Sequence, residues 1–247
     1  MAVGLTDLVL PVYNESHVLE ASVERLYQAM DSTADFPWRI VVVDNGSIDE
    51  TRSVAEQLAN KVDRYLFLHL DQKGRGRALT KVWTETDAEF SLYMDVDLST
   101  DVEAIPETVA MLRDGADIVT GSRHDSRARI TRCLKREVLS RGYNLMIRGM
   151  MRTQCFDDAQ CGFKGVRLET IRQLLPLIQN KNWFFDTELL VLAEYASLKV
   201  RTVPVKWIED PDTRVNIPKT VYEDIKGLLR LRFTAKRNIR NWQCKRG

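Results

Sequence analysis

Two aspartates, Asp95 and Asp97, stand one residue apart directly after the apolar segment Phe90–Met94. Carboxylates at positions i and i+2 beyond a strand end can both turn towards one bound ion. Mg²⁺ and Mn²⁺ prefer such oxygen ligands and often share them with substrate phosphates. A metal held there would neutralise a diphosphate leaving group. The same short pattern occurs in surface turns and helix caps, but its position after an apolar strand favours a metal site.

A third aspartate, Asp44, ends the Val-rich segment Arg39–Val43. A carboxylate at this place in an α/β sheet can accept hydrogen bonds from a ribose or a base, and a simple turn residue is the alternative. The glycine-rich, basic segment 73–77 would allow close backbone approach to a donor molecule, with Lys73 or Arg75 near a phosphate or sugar, or it forms a surface loop. It is not a P-loop. No G-x-G-x-x-G follows the first predicted strand, which disfavours a nicotinamide dinucleotide site.

These residues follow apolar runs that alternate with amphipathic segments in the first half of the chain. Leu19, Val23, Leu26 and Met30, for example, recur at helical spacing. Strands separated by such helices form mostly parallel sheets, in which ligands bind beyond the carboxyl ends of the strands. The predicted strands are Leu5–Val12, Arg39–Val43, Tyr65–Leu70, Phe90–Met94 and Asp117–Thr120, and the predicted helices are 16–30, 49–60, 76–86 and 101–114, the last with Asp101 as N-cap.

The pattern changes beyond Arg123. We predict a basic amphipathic helix over 135–152, a loop over 157–164, a helix over 183–198 led by Asn182, a strand over 199–207 that Pro204 restricts to an edge or an end, and a last helix from about Thr220. No repeat and no linker divides the chain. We therefore expect one α/β domain over residues 1–232 and a basic tail over 233–247.

The near-balance of 36 basic and 35 acidic residues conceals two basic segments. Nine Lys or Arg and two acidic residues lie between Arg123 and Arg152. Eight Lys or Arg and no acidic residue lie between Lys226 and Gly247. Such segments indicate a surface that meets an anion or an anionic membrane, and a solvated helix face with a frayed tail is the alternative.

The cysteines and the apolar runs bear on location. The four cysteines show no metal-binding spacing and no disulfide framework, which favours a reducing, cytoplasmic compartment. Residues 1–7 lack the pattern of a signal peptide, and no apolar run approaches the ~20 residues that span a bilayer. If the protein works at a membrane, we expect it to be peripheral, on the cytoplasmic face, without crossing the bilayer.

Several ordered motifs resemble those of family 2 glycosyltransferases, which have the GT-A fold. In the first half these are Pro11-Val-Tyr-Asn-Glu15, Val43-Asp44-Asn-Gly-Ser47, Lys73-Gly-Arg-Gly76, Asp95-Val-Asp97 and Gly121-Ser-Arg123. Four motifs in the second half resemble the polyprenyl-phosphate branch of this family, which includes the dolichyl-phosphate glucosyltransferases and mannosyltransferases. They are Arg136-x-x-x-Ser140, Asp158-Ala-Gln-Cys-Gly-Phe-Lys164, Phe185-Asp-Thr-Glu-Leu189 and Asp210-Pro-Asp-Thr-Arg-Val215.

The resemblance implies an α/β, Rossmann-like GT-A fold with a central, mostly parallel sheet flanked by helices and a C-terminal amphipathic helix. It implies an inverting, metal-dependent hexosyltransferase that uses Mg²⁺ or Mn²⁺. A hexose would pass from a nucleotide diphosphate sugar to dolichyl or undecaprenyl phosphate and become β-linked. Glucose from UDP-glucose is favoured, with mannose from GDP-mannose second.

The resemblance also assigns roles to residues. Asp158 and Asp97 would be catalytic, Asp158 as a base or as an electrostatic partner close to the anomeric carbon, and Asp95 and Asp97 would flank the metal. The donor would contact Pro11, Tyr13, Asn14, Glu15, Asp44, Lys73, Asp95 and Arg214, and the acceptor phosphate would contact Arg123, Arg136 and Ser140. Guanidinium groups match phosphate oxygens and stay charged, and positions 136 and 140 share one helix face.

Three questions stay open at the level of sequence. Segments 135–152 and 220–242 mix apolar and basic residues, which suits interfacial helices on anionic lipid or, equally, a core face with a homo-oligomer contact. A soluble sugar or glycan acceptor is an alternative that removes the reason for Arg136 and Ser140. A non-catalytic basic binding module is disfavoured, and we expect no nucleic-acid partner, because a basic patch does not explain the strand-end carboxylates.

Overall fold

The computed structural model describes residues 4–131, 134–208 and 217–244, with side chains for 4–129, 137–208 and 220–244. Its main sheet contains β1 (Thr6–Val12), β2 (Trp38–Asn45), β3 (Tyr65–Leu70), β4 (Phe90–Met94), β5 (Ile118–Ser122), β7 (Phe163–Arg167) and β8 (Val200–Pro204). Two short strands, β6 (Arg129–Thr131) and β9 (Lys206–Ile208), pair with each other. The helices are α1 (Ser16–Thr33), α2 (Thr51–Ala59), α3 (Arg75–Glu85), α4 (Ala104–Arg113), α5 (Leu134–Met151), α6 (Leu168–Leu174), α7 (Phe185–Tyr195) and α8 (Ile217–Cys244).

The sheet has the strand order β3-β2-β1-β4-β7-β5-β8. Strand β1 pairs in parallel with β2 and β4, β2 with β3, and β5 with β8, whereas β7 runs antiparallel between β4 and β5. The predicted, mostly parallel sheet flanked by helices is therefore confirmed. Strand β8 lies at the sheet edge, as Pro204 predicted.

Side chains that alternate along the strands enter two apolar layers, one on each face of the sheet. Val9 and Val43 belong to the layer beneath α3, α6 and α7, whereas Leu8 and Leu10 belong to the layer beneath α1 and α4. All four are fully buried. Both faces of a parallel sheet must be covered in this way, which explains why its strands are apolar runs.

The structure corrects three predicted boundaries. Helix α4 begins at Ala104, so Asp101 is not its N-cap residue; Asp101 instead accepts a hydrogen bond from the Glu103 amide at 3.1 Å within the preceding turn. Helix α7 begins at Phe185 instead of following Asn182 directly. The predicted strand over 199–207 is two strands, because Val205 separates β8 from β9.

The predicted loop over 157–164 is wrong at its end, because Phe163 and Lys164 begin the interior strand β7. The charged side chain of Lys164 concealed this strand in the sequence, since a buried strand is expected to be apolar. Lys164 is fully buried all the same. Its polar contacts in the candidate active site explain why this charged side chain can be buried.

The last helix, α8, is continuous from Ile217 to Cys244 and packs against α5 and α7. Leu228, Leu231, Ala235 and Ile239 are its buried apolar residues. The predicted C-terminal helix is therefore present. The boundary between residues 232 and 233 falls inside it, and the division into a domain and a tail stays a prediction. Within the described ranges, no helix combines the length and the apolar character that a membrane crossing requires.

Candidate active site

The loops after β1 and β2 are fastened to each other at the carboxyl edge of the sheet. Asn14 adopts a left-handed backbone conformation (φ 57°), which asparagine tolerates better than most residues. Its amide donates to Ser47 Oγ at 2.9 Å, and its side-chain Oδ1 accepts from the Ile48 amide at 2.9 Å. The Glu15 amide donates to Thr51 Oγ1 at 2.8 Å. Two predicted donor-binding residues are thus held beside the end of β2.

Asp44 is fully buried at the end of β2. Its Oδ1 accepts from the Ser47 amide at 3.0 Å, and its Oδ2 lies 2.8 Å from His69 Nδ1. The neighbouring Asn45 donates from Nδ2 to the Val12 carbonyl at 2.6 Å and accepts from the Gly74 amide at 3.0 Å. These bonds join the ends of β1 and β2 to the segment before α3.

That segment holds the basic residues predicted near a phosphate. The Lys73 ammonium lies 3.5 Å from the centre of the Tyr13 ring, a cation–π contact between two predicted donor-binding residues. Gly74 is required here, because a Cβ atom would lie 2.5 Å from the Lys181 carbonyl oxygen. Pro11, inside β1, is half-buried in register with Val43.

The two carboxylates after β4 differ in their surroundings. Asp95 is 41% exposed, and its Oδ1 lies 3.1 Å from Arg75 Nη2. Asp97 is more exposed, and its Oδ1 accepts from the Ser99 amide at 2.9 Å. The Asp95 carboxylate lies over Gly162, where a Cβ atom would come within 1.8 Å of Oδ2. Glycine at 162 therefore leaves the room that this carboxylate occupies.

This pair fits an oxygen-seeking divalent cation. The structure arranges no group of three or more His, Cys, Asp or Glu side chains for a metal among the residues whose side chains it describes. A cation between Asp95 and Asp97 would therefore take further ligands from water or from a bound phosphate. Mg²⁺ binds in this manner in many phosphate-transfer sites.

Arg75, the first residue of α3, connects Asp95 with a buried polar cluster. Its side chain is only 9% exposed, and its Nε lies 3.8 Å from Asp186 Oδ2. The guanidinium centre lies 5.1 Å from the Tyr93 ring and 5.0 Å from the Trp183 ring. Burial alone lowers the pKa of Arg75, but the carboxylates of Asp95 and Asp186 outweigh it and raise the pKa.

The buried cluster continues to Lys164. Its Nζ donates to the Cys161 carbonyl at 2.6 Å and lies 3.4 Å from Asp186 Oδ1, which also accepts from the Tyr93 hydroxyl. Burial lowers the pKa of Lys164 to about 7 and raises the pKa of Asp186 to about 6. The antiparallel strand β7 thus carries a buried lysine that contacts Asp186 of α7.

Arg123 and Asp158 form a two-pronged ion pair beyond β5. Arg123 Nε and Nη2 lie 2.7 and 2.9 Å from the two Asp158 oxygens, and the Arg123 amide donates to Asp158 Oδ2 at 3.2 Å. Asp158 is fully buried, whereas the Arg123 side chain is 13% exposed. Burial acts to raise the pKa of Asp158, but Arg123 outweighs it and the pKa is lowered. Asp158 is therefore ionised near neutral pH and a weak base.

Helix α5 reaches the same place. Ser140 Oγ lies 3.4 Å from Nε2 of His124, the residue after Arg123. Asn144 accepts at Oδ1 from the Ala159 amide at 2.9 Å, which fixes the loop that carries Asp158. Arg136 belongs to α5, but its side chain lies outside the described residues, as does all of Arg214.

Residues 7–174 of this chain match the family model described as Glycosyl transferase family 2, which is more than half of the sequence. The chain belongs to this family. The resemblance carried by the sequence motifs is therefore confirmed at the level of the family.

Two family 2 relatives are informative. Over 219 residues the chain is 35% identical to glycosyltransferase AglD of Haloferax volcanii, with 87% of this chain and 35% of that protein covered. Over 224 residues it is 30% identical to a dolichyl-phosphate beta-glucosyltransferase of Trichomonas vaginalis, with 86% of this chain and 66% of that protein covered. The chain thus spans about a third of the first relative and just under two thirds of the second.

Among solved structures, the chain resembles glucosyl-3-phosphoglycerate synthase from Mycobacterium tuberculosis in complex with uridine diphosphate. The TM-score is 0.67 at 19% identity, with 93% of this chain and 80% of that chain covered. At this identity the likeness concerns the fold, and it confirms the predicted GT-A-like architecture.

The family 2 motifs in the sequence predicted most of the polar residues that lie at this edge of the sheet. The structure brings Tyr13, Asn14, Glu15, Asp44, Lys73, Asp95 and Asp97 to the carboxyl ends of β1, β2 and β4, and it brings Arg123, Ser140 and Asp158 together beyond β5. The sequence reasoning missed His69, which contacts Asp44, and it missed the buried contacts of Tyr93 and Lys164 with Asp186. The Gln-Cys-Gly-Phe-Lys and Phe-Asp-x-Glu motifs contained Lys164 and Asp186, but nothing in their spacing indicated that β7 and α7 bring these two side chains together.

Proposed function

We propose that this protein is an inverting glycosyltransferase that moves a hexose from a nucleotide diphosphate sugar to a polyprenyl phosphate. One observation carries the proposal: a carboxylate pair suited to a metal lies near a phosphate-matching guanidinium, because Asp95 contributes to raising the pKa of Arg123. Glucose from UDP-glucose is the favoured transfer, with mannose from GDP-mannose second. Relatives named dolichyl-phosphate beta-glucosyltransferases, from Trichomonas vaginalis to Saccharomyces cerevisiae, support this substrate class.

The nucleotide would lie against the fastened loops after β1 and β2. Pro11, Asn14 and Glu15 would shape the wall of this subsite, and Asp44, fixed by Ser47 and His69, would face the ribose or base. Lys73, beside the Tyr13 ring, would reach a diphosphate oxygen. Arg214 would reach it from the segment between β9 and α8. Oriented donors of this kind hold the reacting sugar in place.

Asp95 and Asp97 would hold Mg²⁺ or Mn²⁺ together with the donor diphosphate. A bound divalent ion would supply neutralisation of the charge that develops on the departing diphosphate. Support comes from the carboxylate pair itself and from the related fold, since the Mycobacterium tuberculosis synthase has been solved with Mn²⁺, uridine diphosphate and its glucosylated product.

The acceptor phosphate would bind beyond β5, near Arg123, Ser140 and Arg136. A phosphate monoester is largely ionised near neutral pH, so no proton must be removed. One of its oxygens attacks the anomeric carbon from the face opposite the donor diphosphate. The bond from that carbon to the diphosphate oxygen breaks, the electron pair leaves with the nucleoside diphosphate, and the α-linked sugar becomes β-linked.

Asp158 would act in this reaction through its charge and its hold on Arg123. The carboxylate engages Nε and Nη2 of Arg123, so the Nη1 side of the guanidinium is the part that Asp158 does not engage. A fully buried carboxylate with a lowered pKa is poorly suited to accept a proton. We therefore assign it an electrostatic and orienting role.

A membrane surface completes the proposal. The outer side of α8 carries exposed apolar residues, of which Phe233 is 80% and Tyr222 is 68% exposed, with Leu229 between them. Exposed cations are interleaved with them at Lys226, Lys236, Arg237 and Arg240. This combination suits insertion at an anionic lipid interface, on the cytoplasmic side. It would bring the site to its isoprenoid acceptor.

Transfer of radiolabelled sugar tests the proposal. UDP-glucose and GDP-mannose are each offered with a short polyprenyl phosphate, with Mg²⁺ or Mn²⁺ and with a chelator. We expect metal-dependent, organic-soluble label from one donor, with UDP-glucose favoured. Label that enters only a soluble acceptor, such as a phosphorylated three-carbon acid, would reject the lipid acceptor and keep the transferase.

A further inference from the structure

We propose that Arg75 is an exchangeable counter-cation. It pairs with the carboxylate of Asp95 when no donor is bound. When a divalent cation and the donor bind together, it pairs with the donor diphosphate instead. The inference rests on the proposed donor site. It adds to that site a residue that makes cation binding and nucleotide binding depend on each other.

The first observation is the incomplete pairing of a buried guanidinium. Arg75 is nine-tenths buried, and its Nη2 lies 3.1 Å from Asp95 Oδ1. Neither Nε nor Nη2 is aligned for a hydrogen bond with any residue whose side chain the structure describes. The contact with Asp95 is thus an attraction between charges without the directional bond that would fix it. Buried donors left in this condition favour any ligand that can accept from them.

The second observation is the position of Arg75 relative to the predicted phosphate subsite. It is the first residue of the eleven-residue helix α3, directly after Lys73 and Gly74. Amide groups at such a helix start point towards an incoming anion and favour negative charge. Asp95 itself is 41% exposed, so a ligand can reach the carboxylate that Arg75 contacts.

Charge then dictates the order of preference. A divalent cation on Asp95 would stand next to the Arg75 guanidinium, and the two positive charges would repel each other. A diphosphate reverses this effect, because its oxygens can neutralise the cation and accept from Arg75 at the same time. Arg75 should therefore oppose the binding of a cation alone and support the binding of a cation with a nucleoside diphosphate. Such a coupling must be reciprocal.

Asp186 and two aromatic rings surround the part of the Arg75 side chain that would stay in place during the exchange. The Nε side of Arg75 faces Asp186, and the rings of Tyr93 and Trp183 confine the guanidinium from two sides. Asp186 keeps Lys164 and Tyr93 as partners if Arg75 is replaced. A variant at position 75 should therefore fold, since the buried carboxylate is not left alone.

The experiment measures Mn²⁺ binding by electron paramagnetic resonance, first alone and then with saturating UDP or GDP. Wild type is compared with Arg75→Gln, with Arg75→Lys and with Lys81→Gln, a control on the exposed side of α3 where Lys81 pairs with Glu85. We expect Arg75→Gln to bind Mn²⁺ alone about fivefold or more tightly than wild type. The factor by which a nucleotide increases the Mn²⁺ affinity should be about tenfold smaller in this variant, a change within the usual range of coupling between sites. Arg75→Lys should keep part of the coupling, and Lys81→Gln all of it.

The outcomes separate the two levels of the proposal. If wild type binds a nucleotide with Mn²⁺ but Arg75→Gln binds Mn²⁺ alone no more tightly, the exchange is rejected and the donor site stands. Weaker binding of Mn²⁺ both alone and with nucleotide would make Arg75 a merely structural residue and would also reject the exchange. A wild-type protein that binds neither nucleotide, with or without Mn²⁺, would reject the donor site and the exchange with it.

Discussion

Asp97 is the more exposed of the two carboxylates after β4, and Asp95 contacts the buried guanidinium of Arg75. We expect Asp97→Ala to lower the rate of sugar transfer about a thousandfold or more, because the metal would no longer neutralise the charge on the leaving diphosphate. The free energy of unfolding should change by no more than about 0.5 kcal/mol, as for substitutions at most exposed positions. Sugar transfer and thermal unfolding measured on one preparation check both parts. An active Asp97→Ala protein would reject the metal assignment.

Asp158 has a structural role as well as its proposed role in transfer. Asp158→Asn should remove transfer and also lower the free energy of unfolding by about 3–5 kcal/mol, because it leaves Arg123 without its buried partner. Urea unfolding measures this change. The matched control is Asp157→Asn, at a carboxylate that forms no ion pair with a residue whose side chain the structure describes. Equal stability of the two variants would contradict the account of the ion pair.

At the scale of residues, the sequence predicted the polar side chains at the ends of apolar strands and missed Tyr93 and Lys164, which pair across two strands. Asp95, Asp97 and Asp44 follow apolar runs, so their chemistry and their place could both be inferred. Lys164 and Tyr93 lie inside β7 and β4, and their pairing with Asp186 depends on strand neighbours distant in sequence. Local periodicity carries no information about such neighbours.

At the scale of elements, the loop that carries Asp158 is tied to α8 through one buried carboxyl. Gln160 Nε2 donates to Asp224 Oδ2 at 2.8 Å, and Asp224 is almost fully buried. Burial raises the pKa of Asp224 to about 6. The folded protein therefore holds this proton more tightly than the unfolded chain does.

The sign of the pH dependence follows from this raised pKa. The contribution of Asp224 to stability is fully present below the ordinary carboxyl pKa, near 4, and is lost as the pH rises through about 6. Asp224→Asn keeps an acceptor for Gln160 and removes the titration. We expect wild type to lose stability relative to Asp224→Asn between pH 4 and pH 7. Urea unfolding across this range is the measurement, and parallel curves for the two proteins would contradict the assignment.

The elements of the first half could be predicted because each strand ends at a turn and each helix buries one face. Strand β7 could not, since its direction is antiparallel and its second residue, Lys164, is charged. Helix α6 follows β7 without a loop, and the pair β6 and β9 depends on contacts between distant segments. In the second half the sequence predicted the long helices α5, α7 and α8 and the strand region of β8 and β9, but not β6, β7 or α6.

At the scale of the whole molecule, the two basic segments and the exposed apolar residues of α8 concern the surface on which the protein works. The double variant Leu229→Asp/Phe233→Asp should bind anionic vesicles at least about tenfold more weakly, because burying each such side chain contributes about 1.5–3 kcal/mol. Vesicle sedimentation measures this, and neutral vesicles should bind less than anionic ones.

A control separates the apolar contribution from added charge. Gln57→Glu places a negative charge on the exposed side of α2, away from α8. It should leave vesicle binding close to that of wild type. If the double variant and wild type bind equally, the outer side of α8 is not the membrane contact, and a contact between copies of the chain becomes the better use of this surface.

The most direct test of the central claim is the product itself. Transfer from UDP-glucose labelled with ¹³C at the anomeric carbon to a short polyprenyl phosphate can be followed by nuclear magnetic resonance. Direct displacement at the edge formed by Asp95, Asp97 and Arg123 predicts a labelled carbon coupled to the lipid phosphorus and in the β configuration. An α-linked product, or label that couples to no lipid phosphorus, would contradict the account.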